Sequence, residues 1–152
     1  MALTMTGEVQ LDASREEVWV KLNDPEVLKL CIPGCEEFER TDDGAFFAVA
    51  KMKLGPVSAR FRGRVVLTDL DPPHSYRISG QGEGGVAGFA KSGATVKLSE
   101  TESGAVLCYD VEAQVGGKLA QLGQRLVGNA AKKLADQFFS NFATAVRATP
   151  AP

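Results

Sequence analysis

From Glu36 to Val115 apolar residues recur at every second position, in blocks separated by turn residues. Phe46, Ala48, Ala50, Met52 and Leu54 share one parity; after "LGP", so do Val57, Ala59, Phe61, Gly63, Val65 and Leu67. Tyr76 and Ile78, then Ala94, Val96 and Leu98, then Leu107, Tyr109, Val111, Ala113 and Val115 continue the period. Successive side chains of a strand point to opposite faces, so these blocks predict one antiparallel sheet with a single covered side.

The pattern changes at both ends. "GEVQLDA" reads as a strand with Val9 and Leu11 on one face, and Ser14 followed by Glu17 forms a capping box that opens a short helix to about Leu22. Asp24 and Pro25 suit the cap and first position of a second short helix, which Pro33 and Gly34 end after about Leu30. From Lys118 to about Arg147 apolar residues fall three and four apart, at Leu119, Leu122, Leu126, Ala130, Leu134, Phe138 and Phe142. That stripe predicts one long helix lying on the covered side of the sheet. Strand, two short helices, six strands and a long helix is the order of the helix-grip fold, an α+β architecture in which a curved sheet wraps a C-terminal helix.

Length and charge add limits. A chain of 152 residues is enough for one domain, expected over residues 1–147 with a short Pro/Ala tail over 148–152. Seventeen Lys and Arg against 19 Asp and Glu, with no dense run of either sign, give nucleic acid no footprint. The N-terminus lacks the charged and apolar regions of a leader, and no apolar run approaches a membrane span, so the chain reads as cytoplasmic.

Three motifs invite chemistry. "LCIPGC" places Cys31 and Cys35 about a Pro-Gly turn, but a zinc site needs four ligands and the chain adds only Cys108 and His74. His74 sits in "DPPHSY", a turn, so no metal and no thiol catalysis is expected. "GQGEGG" satisfies a dinucleotide-loop spacing, yet strand pattern resumes by Ala90 where a helix should open. It reads instead as a flexible, bulged hairpin of Gly80, Gly82, Gly84, Gly85 and Gly88 able to gate a cavity mouth. Arg60, Arg62 and Arg64 form a comb on the polar face of their strand, with Lys51 and Lys53 alongside. The comb is either a solvated face balanced by acidic neighbours or a docking surface for an acidic partner or anionic headgroups. Asp110 and Glu112 share the outward parity and do not form a catalytic pair inside.

"LNDPEVLKLCIPGCEEFE", "KMKLGPVSARFRGRVVLTDLDPP", "GQGEGGVAGFAKSGATVKL" and "VGGKLAQLGQRLV" together resemble the carbon monoxide dehydrogenase CoxG family of the SRPBCC (START/Bet v 1-like) superfamily, from about Thr6 to Phe142. The resemblance makes Ile32, Pro33 and Gly34 a structural signature at a cavity rim. It implies an accessory role beside molybdenum hydroxylases of the CO dehydrogenase type, with recruitment of the enzyme to the inner face of the membrane and no cofactor of its own. Many members continue through a Pro/Ala-rich linker into a membrane-seeking tail; this sequence closes on "RATPAP", so such a tail is either removed or absent from this member.

Two functions are open to such a chain. One is a non-enzymatic adaptor holding a hydrophobic, lipid- or quinone-like molecule in an internal cavity; the other is a small cyclase or hydrolase acting on a hydrophobic substrate. The inward positions favour the first, because they are apolar with Tyr109 as their polar handle. The expected ligand-lining residues are Pro33, Met52, Leu54, Phe61, Phe89, Tyr109, Val111, Leu122, Leu126, Ala130 and Phe138, and the expected partner-binding residues are Arg60, Arg62 and Arg64. Gly123, inside the long helix, is expected to mark close packing or room for a guest, since glycine there costs roughly 1 kcal/mol against alanine.

With too few ligands for a metal, the purified protein is expected to carry no stoichiometric zinc or iron, and serine at Cys31 and Cys35 to leave folding largely intact. Elemental analysis returning one metal per chain overturns the first expectation.

Overall fold

The first strand does not stay beside the helices it precedes; it crosses the molecule to pair with the last strand. In the computed structural model, which describes residues 1–147, β1 (Ala2–Leu11) lies antiparallel to β7 (Gly104–Gly116), with Gly7 opposite Tyr109. The remaining strands, β2 (Cys35–Arg40), β3 (Phe46–Leu54), β4 (Val57–Asp71), β5 (Ser75–Glu83) and β6 (Phe89–Thr101), pair each with the next. The result is a seven-stranded antiparallel sheet in the order β1-β7-β6-β5-β4-β3-β2.

Between β1 and β2 run α1 (Arg15–Leu22) and α2 (Pro25–Cys31). Ser14 Oγ accepts the Glu17 N–H at 3.2 Å, and the Asp24 carboxylate accepts the Glu26 N–H at 3.0 Å, so both helices start where their capping residues stand. The Pro-Gly turn then ties α2 to the sheet. Gly34 takes φ +74° and its carbonyl accepts the Lys51 N–H at 2.9 Å; a Cβ there would collide with the Lys51 carbonyl. Only glycine meets both demands.

The C-terminal helix departs from expectation. It is two helices, α3 (Lys118–Gln121) and α4 (Gln124–Arg147), separated at Gly123, whose φ is +89°. A Cβ on Gly123 would meet nothing within 4 Å, so close packing does not explain this glycine. It is there for a left-handed backbone that stops one helix and starts the next. The break resets the phase of the stripe: α4 buries Val127, Phe142 and Val146, and Leu126 turns toward the rim. Two smaller differences accompany it. β1 begins five residues before "GEVQLDA", at Ala2, and the β5–β6 pairing runs without a bulge from Ser75↔Lys97 to Glu83↔Phe89.

Two separate apolar clusters fill the space between sheet and helices. At one end Leu11, Val18, Leu22, Cys31, Tyr76, Leu98, Leu107, Phe142 and Val146 pack together; at the other Leu54, Val115, Leu119 and Val127 do, joined by Leu3, Met52, Phe61, Leu122 and Ala130. Cys31 is 1 % exposed within the first cluster, which corrects the expectation that serine there leaves folding largely intact. A serine there would bury a hydroxyl among apolar side chains, at a cost of about 1–3 kcal/mol, whereas Cys35 is only partly covered.

The glycines of the last helices give a paired prediction. Gly123→Ala is expected to lower stability by about 1–2 kcal/mol through its positive φ alone. Gly128→Ala, inside α4 with open space around its Cβ, is expected to raise stability by up to about 1 kcal/mol. Urea denaturation of both variants checks the pair; a neutral Gly123→Ala overturns the conformational account.

Candidate functional site

Between the two clusters, two rows of the sheet's inner face are built mostly from small residues. Cross-strand register aligns Ala48, Gly63, Gly82 and Ala90 in one row and Val65, Gly80, Ser92 and Ala113 in the next. The next row, Leu67, Ile78, Ala94, Val111 and Met5, returns to larger side chains, with Leu67 and Ile78 packed on the first cluster. Most members of these rows belong to neither cluster, and nearly all are half-buried, although they lie on the face that α4 covers. On the helix side Leu134, between Ala130 and Phe138, is in the same position. A Cβ built on Gly80 would meet its first neighbours only at 3.7 Å. These small side chains leave a gap in the apolar packing between the two clusters, and Gly63, Gly82, Ala90, Gly80, Ser92 and Ala113 also line cavities on the outer face.

Aromatic groups flank the gap on the side of the first cluster. Tyr109 stacks on Phe139 with ring centroids 5.0 Å apart, and Phe139 meets Phe138 edge-on, also at 5.0 Å. The Tyr109 phenol lies over Gly7, its partner on β1, where a Cβ would strike the ring. Two strands away in the same row stands Tyr76, 3 % exposed and edge-on to Trp19 at 5.2 Å. Burial pushes its phenol well above the usual tyrosine range, so it stays a neutral hydrogen-bond donor. The inner face therefore has two phenols where sequence parity singled out Tyr109.

The predicted ligand-lining residues separate into groups. Met52, Leu54, Phe61, Leu122 and Ala130 come together in the second cluster; Tyr109 and Phe138 pack on the first, and Val111 faces the gap between. Pro33 is half-buried in the turn after α2. Leu126 is 37 % exposed and leans on the β3–β4 turn, 3.3 Å from where a Gly55 Cβ would stand. Phe89 is misplaced: it sits opposite Glu83, itself opposite Arg62, so it lies on the outer face, 51 % exposed. Its ring folds down over Gly116.

On that outer face two of the three comb arginines are already paired. Arg60 holds Glu36 through two hydrogen bonds, Nε to Oε1 at 2.6 Å and Nη2 to Oε2 at 3.2 Å. Arg64 pairs with Asp43, whose carboxylate is held well below the usual range by the Thr41 hydroxyl, by Arg64 and by the Ala45 N–H. Glu112 is outward as expected and pairs with Arg77. His74 is exposed and shares a 3.1 Å hydrogen bond with Arg15. Burial pushes the Cys31 and Cys35 thiols up, away from the thiolate that nucleophilic chemistry needs. Among the described residues no three His, Cys, Asp or Glu side chains gather as a metal set, and no helix is long and apolar enough to cross a membrane.

Comparison with known proteins places this geometry. The model of the CoxG family, described as a subunit of carbon monoxide dehydrogenase, matches residues 7–147. No curated protein matches the sequence. Among solved structures, a conserved protein from Geobacillus kaustophilus is 33 % identical with a TM-score of 0.90, covering 95 % of each chain. An uncharacterised protein from Rhizobium leguminosarum aligns at 12 % identity and TM-score 0.72, over 97 % of this chain and 95 % of its own. Norcoclaurine synthase from Thalictrum flavum aligns at 18 % identity and TM-score 0.67, over all of this chain and 90 % of its own. The last two show the shared fold, the curved sheet and long helix of START/Bet v 1-like proteins.

The contact between Gly7 and Tyr109 is testable without any ligand. Gly7→Ala is expected to destabilise by about 1–3 kcal/mol through overpacking against the phenol. The double variant Gly7→Ala/Tyr109→Ala is expected to be no less stable than Tyr109→Ala alone. Strictly additive costs in a double-mutant cycle overturn the contact.

Proposed function

The chain belongs to the carbon monoxide dehydrogenase CoxG family, and on that premise we propose a non-enzymatic accessory protein of a CO dehydrogenase-type molybdenum hydroxylase system that holds a hydrophobic, lipid- or quinone-like molecule inside the helix-grip fold. Through that molecule and its partner enzyme it serves membrane recruitment or electron transfer at the inner face of the membrane. The observation that carries the reading is the break in apolar packing between the two clusters, where small Ala48, Gly80, Gly82, Ala90, Ala94 and Ala113 face inward among Val65 and Val111. Filling residues would give more stability, at roughly 0.8 kcal/mol per buried methylene, so a wall of glycine and alanine favours a guest over a solid core.

The chemistry of the wall supports binding over turnover. A cyclase or hydrolase needs a placed acid, base or nucleophile. Across the middle of the sheet's inner face the polar side-chain groups are the hydroxyls of Ser92, Tyr76 and Tyr109. Hydroxyls orient a carbonyl or headgroup by hydrogen bonding. The family match extends to a partner enzyme only by the family's description, and that partnership is part of this proposal.

Two variants approach the gap from opposite walls. Ala130→Trp projects from α4, and Gly80→Leu from β5. Each is expected to stay folded, within about 1 kcal/mol of the parent for Gly80→Leu, and to lose the hydrophobic molecule that native mass spectrometry or solvent extraction finds in the parent. A parent that takes up no quinone or lipid, with an Ala130→Trp variant that unfolds by overpacking, sinks the binding reading and leaves a solid interaction module.

A further inference from the structure

The outer face of the same strands carries a second feature, a shallow groove of about 730 Å³ running from β3 to β6. Its charged, polar and aromatic side chains are Phe47, Arg62, Arg64, Gln81, Glu83, Phe89 and Lys91. Register makes the order regular: Phe47, Arg64, Gln81 and Lys91 form one cross-strand row, and Arg62, Glu83 and Phe89 the next. The two phenylalanines stand at opposite ends, 38 % and 51 % exposed, three strand spacings of about 4.8 Å apart. Gly63 and Gly82 leave the backbone open on the floor.

Charge in this groove is unbalanced in a specific way. Arg60 and Arg64 are held by Glu36 and Asp43, so two teeth of the comb are satisfied from within the chain. Among the described residues neither Arg62 nor Lys91 has a carboxylate within ion-pair distance, although Glu83 is the cross-strand neighbour of Arg62. Two open cations between two exposed rings make a surface complementary to carboxylates interleaved with an apolar side chain.

We infer that this groove docks an extended acidic segment of a partner protein, with carboxylates meeting Arg62 and Lys91 and an apolar side chain resting on Phe89 or Phe47. The inference rests on the adaptor reading for the existence of a partner, and it moves the binding energy from the whole arginine comb to Arg62, Lys91 and the two rings. A membrane surface fits less well. The Phe89 ring leans over Gly116 where insertion into lipid needs a projecting side chain, and the groove's two open cations are fewer than the roughly four or more of a polybasic headgroup-binding cluster.

The test measures binding of short fluorescent peptides by anisotropy at low and high salt. A peptide of glutamates flanking a phenylalanine is expected to bind the parent more tightly than the same peptide with alanine at the centre, and a lysine-flanked version to be ignored. Arg62→Glu/Lys91→Glu is expected to weaken the acidic peptide at least about tenfold and to gain the lysine-flanked one. Phe47→Ala/Phe89→Ala is expected to erase the preference for the phenylalanine centre, and high salt to weaken the acidic peptide. Absent binding, or binding indifferent to both variants, overturns the inference. So does tight binding of phosphatidylglycerol vesicles or of oligothymidine that these variants abolish, which would assign the face to membrane or nucleic acid. Extraction of both variants separates this from the function proposed above: they are expected to keep the guest, and a guest-free parent that still binds the peptide removes the ligand reading alone.

Discussion

One helix has to cover the inner face of a sheet seven strands wide. The helix is about 10 Å across, while six strand spacings of about 4.8 Å separate β1 from β2. Flat, such a sheet would leave most of its apolar face in water, so it has to curl around α4, and the short helices α1 and α2 have to bridge the distance between its edge strands. That mismatch organises the rest. Apolar side chains are large at the two ends, where Phe142 and Val146 meet α1 and where Leu119 and Val127 meet the β3–β4 turn, and small between. Between the ends, the rows through Gly63, Gly80 and Gly82 carry mostly small side chains.

Glycine carries several distinct duties in this arrangement. Gly34 gives a left-handed turn against the Lys51 carbonyl, which fixes α2 to β3. Gly7 gives way to the Tyr109 ring, so a phenol can lie along the wall where a side chain on β1 would otherwise stand. Gly88 and Gly117 press backbone to backbone, both with positive φ, and join the turn after β5 to the start of α3. Each removes a Cβ at a point where two segments approach too closely for any other residue.

The sheet is readable from the chain because period two is a local property: each strand states its own inward parity, and the register observed keeps those parities aligned across β3 to β7. The caps at Ser14 and Asp24 are readable for the same reason. The expectations that fail depend on non-local geometry or let identity override position. Extending the stripe of the last helices through Gly123, as if the phase persisted, puts Leu126 where Val127 belongs. Placing Phe89 inward follows its hydrophobicity, although parity counted back from Ala94 through Ser92 and Ala90 sets it outward with Lys91. Gly7 as the seat of Tyr109 has no signal in the sequence, since it requires knowing that the first strand pairs with the last.

A consequence of the curled sheet is that its two faces share one backbone. Gly63 and Gly82 contribute to the inner wall and also to the floor of the outer groove, because a residue without a side chain is accessible from both sides. A guest lying against these positions would be separated by a single peptide layer from whatever occupies the groove between Phe47 and Phe89. Glycine also gives β5 less side-chain packing than its neighbours, with Gly80 and Gly82 in its second half and Gly84 just beyond it. On the proposed reading, guest and partner would lie on opposite sides of this glycine-rich strand.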